Sequence, residues 1–242
     1  MKRISLIYHE VMKNENINCL EDERLYNSKY TFDVTEFQTH MKEISNLLNA
    51  SQNEITVHIT FDDGRIGSYN YVADILEANG LKGYFFIITD RIGKPQYLDS
   101  DQIYKLHKRG HIIGTHTCSH PTRMSNLSWD LLIKEWGDSR RVLSDIVGEE
   151  VKVAAVPGGF YSKKVAEAAA SVGIKELFTS EPVTKCYSVN DCLIIGRYSI
   201  EKSLSVQEIT DLVNMNVYPR YKQLVLWEIK KYLKKYFKIN IV

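Results

Sequence analysis

Short apolar runs alternate with amphipathic stretches along most of this chain. Uninterrupted apolar runs such as residues 83–89 predict strands that are buried on both faces of a parallel sheet. Stretches in which apolar residues recur every three or four positions predict helices, as with Phe37, Met41 and Ile44. The predicted strands are residues 4–8, 55–60, 83–89, 111–116, 151–156, 176–179 and 192–195. The predicted helices begin near residues 35, 72, 99, 127 and 162.

The regular succession of strand and helix indicates one α/β domain. No Pro/Gly-rich linker separates the units, so the pattern favours a single βα-repeating domain, either a barrel or a doubly wound sheet. A chain of 242 residues can also bury a substantial core. Residues 11–33 are polar and irregular, and we predict that they form a loop.

The last stretch of the chain combines an apolar face with positive charge. Residues 217–242 hold seven lysine and arginine residues and one glutamate, and residues such as Val225, Ile229 and Tyr232 fall on one helical face. We therefore divide the chain into a globular domain, residues 1–215, and a basic amphipathic C-terminal helix, residues 216–242. We predict that residues 220–238 contact an anionic membrane surface, the domain itself or a second subunit.

Composition excludes some classes of protein. Hydrophobic residues make up 44% and charged residues 25%, which argues against wholesale disorder and against a membrane-spanning bundle. The formal net charge is +1, so no global field favours nucleic acid, and we predict no nucleic-acid partner.

The four cysteines and the N-terminus indicate a reducing compartment. No two cysteines have C-x-x-C spacing, which disfavours a zinc ribbon, and nothing marks a disulfide framework. The apolar run after Arg3 is cut at His9, shorter than the ~7–15 residues of a signal-peptide core. We therefore predict a cytoplasmic protein, at the inner membrane face if its tail binds lipid.

Two short motifs carry the candidate chemistry. Asp62 and Asp63 follow a predicted strand, and Gly64 lets the chain turn directly after them. His116 and His120 lie four residues apart. One carboxylate and two imidazoles can form a divalent metal site with an open position, and the second carboxylate is then a candidate base. Each motif alone is weak, since Asp-Asp-Gly is commonly a turn and His-x-x-x-His is often incidental.

These candidate residues share a position at the ends of predicted strands. Asp62, Asp63, His116, His120 and the Pro157-Gly158-Gly159 turn all follow strands. The carboxyl ends of parallel strands lie at one edge, where catalytic side chains gather. The sequence therefore predicts a single active-site rim. His9 also follows a predicted strand, with a surface histidine in a turn as the alternative.

Four stretches of sequence carry a resemblance to a known family. They are Thr-Phe-Asp-Asp-Gly at residues 60–64, His-Thr-Cys-Ser-His at 116–120, the Gly-His run at 110–116 and Val-Pro-Gly-Gly-Phe-Tyr-Ser at 156–162. Over about residues 4–200 the chain resembles the polysaccharide deacetylases, carbohydrate esterase family 4. The resemblance implies a distorted (β/α)7-type barrel and metal-dependent removal of an N-acetyl group from an amino sugar.

The resemblance also implies a role for each candidate residue. Asp63, His116 and His120 would bind the metal, usually Zn²⁺, and Asp62 would be the general base. A backbone N–H of the Pro157-Gly158-Gly159 turn would hold the oxyanion, because glycine lets the backbone approach closely.

Two departures from the family pattern point to other residues. The family's third motif usually starts with an arginine that orients the base, but Ala155 is at that position. Arg197 is our candidate replacement, with a purely structural arginine as the alternative. The usual late histidine acid is also missing, since no histidine follows His120. Tyr8-His9-Glu10-Val11 resembles the permuted branch that includes poly-N-acetylglucosamine deacetylases, in which an N-terminal histidine is the acid, so we predict that role for His9.

The substrate expected from the resemblance is an N-acetylated sugar in a precursor of a surface polysaccharide or glycoconjugate. Two alternatives stay open. Some relatives of this fold hydrolyse a non-sugar C–N bond with similar motifs. A pseudoenzyme that binds a glycan without cleaving it is suggested by Ala155, although the intact Asp62, Asp63, His116 and His120 argue against it.

Overall fold

Eleven strands and seven α-helices are seen in residues 2–13, 29–51 and 55–236, the parts of the chain that the computed structural model describes. The strands are β1 (Lys2–Tyr8), β2 (Glu10–Met12), β3 (Thr31–Asp33), β4 (Ile55–Phe61), β5 (Gly83–Ile87), β6 (Ile112–Thr115), β7 (Val153–Ala155), β8 (Glu176–Phe178), β9 (Tyr187–Val189), β10 (Cys192–Ile195) and β11 (Tyr198–Ser199). The helices are α1 (Val34–Ala50), α2 (Ala73–Ala78), α3 (Ser100–Lys108), α4 (Trp129–Val147), α5 (Lys163–Ser171), α6 (Val206–Val213) and α7 (Val217–Tyr236).

Nine of these strands form one sheet in the order β11-β1-β4-β5-β6-β7-β8-β10-β9. All neighbouring pairs are parallel except β9 and β10. The sheet curls into a half-barrel with helices packed around it. This arrangement confirms the expected α/β class, the distorted (β/α) barrel and the C-terminal helix. Because the strands are parallel, their carboxyl ends lie at one edge of the sheet.

Local signals explain why several helices begin and end where they do. Asp33 caps α1. Its side chain accepts a backbone N–H from the first turn of the helix, and the Glu36 side chain accepts the backbone N–H of Asp33. Ser128 caps α4, as the sequence predicts, and Gly148 ends that helix in the left-handed conformation. Ser205 and Glu208 form the same reciprocal cap on α6, a helix that our sequence analysis missed.

The predicted loop over residues 11–33 is wrong at both ends. The strands β2 and β3 pair there in a small parallel sheet, and Val11, Met12 and Phe32 are buried. Three-residue strands are too short to show a periodic pattern, which is why the sequence did not reveal them. Residues 14–28, the middle of that predicted loop, lie outside the described residues.

The aromatic core lies directly beneath the strands that end at the candidate site. The ring of Phe61 stacks on those of Tyr8 and Phe85, with centroids 5.7 and 5.1 Å apart. These side chains come from the adjacent strands β1, β4 and β5. The strand that delivers Asp62 and Asp63 is therefore packed on both sides.

Within the described residues, no helix combines the length and apolarity needed to cross a bilayer. The division between residues 215 and 216 stays a prediction.

Candidate metal and catalytic centre

The sheet brings the two sequence motifs together. Asp62 directly follows β4 and donates its backbone N–H to the Tyr8 carbonyl of β1 at 3.1 Å. His116 directly follows β6 and donates its backbone N–H to the Ile87 carbonyl of β5 at 2.8 Å. Each residue thus continues the hydrogen bonding of the sheet one step past its strand. Both motifs are fixed at the same edge by backbone bonds rather than by flexible loops.

Asp63, His116 and His120 offer one ligand atom each, and these three atoms lie within 4.8 Å of one another. The Asp63 Oδ1 atom is 3.5 Å from His116 Nε2 and 3.7 Å from His120 Nε2. Two imidazole nitrogens and a carboxylate oxygen are a donor set that suits a divalent metal such as zinc. The residues predicted as metal ligands therefore fit such an ion.

The protonation of His116 suits a ligand. Its Nδ1 lies 2.9 Å from the backbone carbonyl of Ala155, which can only accept, so Nδ1 carries the proton. The other ring nitrogen, Nε2, is then unprotonated, and its lone pair lies on the side of Asp63. Burial, opposed in part by Asp62, lowers the pKa of His116 to about 4, so the imidazole is neutral at neutral pH.

The loop that carries His120 is held by Glu135 of α4. This carboxylate accepts the backbone N–H groups of Cys118 at 2.9 Å and Ser119 at 3.0 Å, and the Ser119 hydroxyl at 2.7 Å. The Cys118 thiol donates to the Glu135 backbone carbonyl at 3.5 Å and is not among the three candidate ligands. Glu135 is a residue that our sequence analysis missed, because its role depends on how α4 packs on the loop.

Asp62 forms a buried two-point ion pair with Arg197. The guanidinium donates to both carboxylate oxygens, at 2.7 and 3.0 Å, and also to the Thr60 hydroxyl and the Thr179 carbonyl. Burial alone would raise the pKa of Asp62. The charge and hydrogen bonds of Arg197, aided by nearby histidines, outweigh burial and hold that pKa well below its usual range. Asp62 is therefore a carboxylate at any working pH.

Ala155 lies beside the same two aromatic rings as the Arg197 guanidinium. Its side chain is fully buried and packs with Phe86 and Phe178, and the guanidinium lies over these two rings at 5.4 and 6.0 Å. The structure thus places an arginine on Asp62 from the segment after β10, whereas Ala155, the last residue of β7, occupies the position at which the family motif has arginine.

The Pro157-Gly158-Gly159 turn follows β7 and forms a single 3-10 turn. Gly158 and Gly159 have left-handed backbones, with φ of 59° and 73°. A β-carbon at Gly159 would lie within van der Waals overlap of the Ser180 hydroxyl. The turn begins two residues after the carbonyl that holds His116, and both glycines are needed for its shape.

Comparison with known proteins identifies the family of this chain. A sequence model described as polysaccharide deacetylase matches residues 31–177, more than half of the chain. The chain belongs to the polysaccharide deacetylase family. YxkH of Bacillus subtilis, itself only provisionally named as a polysaccharide deacetylase, is 26% identical over 179 residues, which is 73% of this chain. The chain spans 64% of the length of YxkH.

Solved structures of other proteins share the fold. Deacetylase PplD of Streptococcus pyogenes, solved in complex with acetate, has a TM-score of 0.74 and 22% identity, over 88% of this chain and 98% of PplD. IcaB of Ammonifex degensii has a TM-score of 0.67 and 18% identity, over 88% and 96% of the two chains. The half-barrel seen here is thus the fold of both proteins.

In the present chain, His9 lies between β1 and β2, and its ring centroid is 4.7 Å from that of Tyr30. Its Nδ1 atom is buried and has no hydrogen-bond partner within the described residues. His9 is one of the histidines whose positive charge would lower the pKa of Asp62. The next residue, Glu10, forms a buried ion pair with Arg65 at 3.2 Å, which sequence analysis also missed.

Proposed function

We propose that this chain is a metal-dependent carbohydrate N-deacetylase that removes an N-acetyl group from an amino sugar. The observation that carries the proposal is the placement of the Asp63, His116 and His120 ligand atoms beside the Asp62–Arg197 pair. Membership of the polysaccharide deacetylase family supports the same chemistry. A hydrolase needs a group that accepts a proton from water next to a group that polarises the substrate carbonyl.

Asp63, His116 and His120 would hold the metal, for which zinc is our proposal because it favours two histidines and one carboxylate. When bound, the ion would polarise the acetamide carbonyl and lower the pKa of a nearby water. His116 needs no deprotonation before it can bind, because its neutral Nε2 is already available. Glu135 holds the loop of His120 and so limits how far that ligand can move.

Asp62 is proposed as the general base. It is charged, and its Oδ2 atom lies 3.9 Å from His116 Nε2, next to the ligand cluster without being part of it. Arg197 binds both carboxylate oxygens and so fixes the plane of the carboxylate. We propose Arg197 as the residue that does the work of the missing motif arginine, positioning Asp62 to take a proton from the attacking water.

A backbone N–H of the Pro157-Gly158-Gly159 turn is proposed to stabilise the oxyanion that forms on the acetamide. Two adjacent left-handed glycines expose backbone N–H groups without side chains. Because the Ala155 carbonyl binds His116, the strand before this turn is tied to the ligand cluster.

His9 is proposed as the acid that protonates the leaving amine, the role implied by the permuted branch. We expect His9→Ala to lower kcat for an N-acetyl sugar by roughly 10²–10³-fold. The same variant should hydrolyse 4-nitrophenyl acetate at nearly the wild-type rate, because that leaving group departs without a proton. Steady-state kinetics with both substrates measure the difference.

The matched control for His9 is His107→Gln, a histidine on α3 that is paired with Glu149 instead. Both substrates should be turned over normally by this control. Equal losses on the amide and the ester in His9→Ala would contradict the role as acid and indicate a structural role near Asp62.

We propose that the substrate is an N-acetylated precursor of a surface polysaccharide or glycoconjugate inside the cell. Within the described residues, Cys118, Cys186 and Cys192 are free thiols, which supports a reducing, cytoplasmic compartment. Hydrolysis of a non-sugar C–N bond and glycan binding without cleavage are the alternatives.

The deciding measurement is acetate release from a panel of N-acetyl sugars, sugar nucleotides and oligosaccharides. We expect a chelator to lower acetate release at least about a hundredfold and added Zn²⁺ to restore it. Without a metal on the three ligands, nothing would polarise the substrate carbonyl. Release that is unchanged by prolonged chelation would contradict metal dependence. No release from any sugar would favour one of the two alternatives.

A further inference from the structure

Helix α7 is attached to the domain by one face. Arg220 donates to the Tyr198 hydroxyl at 3.2 Å and to the Met215 carbonyl at 3.1 Å. Gln223 donates to the carbonyl of Ser199, on the edge strand β11, at 3.0 Å. These bonds fix the rotation of the helix about its axis. One side of α7 therefore faces the domain, and the opposite side faces away from it.

The side that faces away is apolar. At about 100° per residue, its apolar side chains lie on the face opposite Arg220 and Gln223. We call this face the apolar stripe; its members, with exposed fractions of 39% to 74%, are Tyr218, Tyr221, Val225 and Ile229. The stripe is thus not used to pack the helix on the described part of the domain, which was one of the alternatives that the sequence left open.

The charge on α7 indicates which kind of partner the apolar stripe contacts. Residues 217–236 hold six lysine and arginine residues and one glutamate, Glu228. Because each copy of this helix carries a net positive charge, two copies repel each other electrostatically, which opposes a symmetric contact through the stripe. An anionic lipid surface complements these charges, and its interface favours tyrosine side chains beside aliphatic ones. Charge and composition therefore favour lipid over a second copy.

We propose that α7 docks this chain on an anionic lipid surface, with the apolar stripe in the headgroup layer and the lysines beside the lipid phosphates. This property is separate from the proposed deacetylation. The residues of the stripe belong to none of the groups placed in the catalytic centre. A soluble substrate should therefore be deacetylated equally well with the helix docked or free.

Vesicle flotation of the full chain tests the proposal. We expect the protein to float with vesicles that contain phosphatidylglycerol, to remain in solution with pure phosphatidylcholine, and to bind less as salt is raised. Ile229→Asp should lower the partition coefficient at least about tenfold, because it puts a charge into the stripe and removes apolar area.

The matched control is Leu131→Asp on α4, because the exposed fraction of Leu131 is 49% against 51% for Ile229. This control should float as the wild type does, and both variants should keep the wild-type circular dichroism. Equal soluble fractions with both kinds of vesicle would overturn the proposal, as would flotation of Ile229→Asp at the wild-type level. A dimer seen by sedimentation that Ile229→Asp dissociates would assign the stripe to a second copy instead.

Discussion

Asp62→Asn is expected to lower kcat by roughly 10³-fold with little change in KM, because asparagine keeps the shape of aspartate but cannot accept a proton from water. The proposed ligands Asp63, His116 and His120 are untouched, so bound metal should stay at the wild-type level. Acetate-release kinetics together with metal analysis of the purified protein measure both quantities.

The matched change at the neighbouring carboxylate is Asp63→Asn. Metal content should fall in this variant and stay normal in Asp62→Asn, although both lose activity. This contrast separates a base from a ligand on adjacent residues. Turnover of Asp62→Asn within about tenfold of the wild type would contradict the role of general base.

Arg197→Met is expected to leave a slow enzyme whose rate climbs as pH rises. In the wild type Arg197 holds the pKa of Asp62 well below its usual range, so the base is charged across the whole neutral range and the rate does not depend on its titration there. Without the guanidinium, only the nearby histidines oppose burial, so that pKa rises and the charged fraction then grows with pH. The pH profile of kcat/KM measures the shift, and a flat profile in the variant would contradict this account.

The same substitution should also lower the free energy of unfolding by about 3–5 kcal/mol, because it leaves a buried carboxylate without its partner. Adding Asp62→Asn to Arg197→Met removes that charge and should recover part of the loss. Urea unfolding of the two single variants and the double variant measures the coupling. Losses that add to within about 0.5 kcal/mol would indicate that the two side chains do not act as a pair.

The sequence reveals those structural features that depend on residues close together in the chain. The strand before Asp62 is a continuous apolar run, and the cap at Ser128 is a single side chain at a helix start. The family motifs at residues 60–64 and 116–120 are likewise short and contiguous. In each case the physical cause lies within a few residues of the effect, so the pattern can be recognised without the fold.

The parts that sequence does not reveal depend on contacts between distant segments. Glu135 supports the His120 loop only because α4 packs against it, and the Glu10–Arg65 pair joins residues 55 positions apart. Arg197 could be proposed from sequence as a substitute for Ala155, but its two bonds to Asp62 are visible only in the structure. The short strands β9 and β11 gave no pattern, because two or three residues do not define a period.

The candidate centre is built on backbone that glycine would adopt more readily. Asp63, Thr117 and His120 have φ values of 74°, 67° and 56°, and a β-branched residue such as Thr117 is strained there. Glycine at these positions would relieve strain, yet it would remove two proposed ligands and the hydroxyl that accepts the His120 N–H. A directed-evolution experiment that selects for thermal stability alone would therefore replace residues of this centre. A thermostable version of the protein should be sought by changing residues elsewhere.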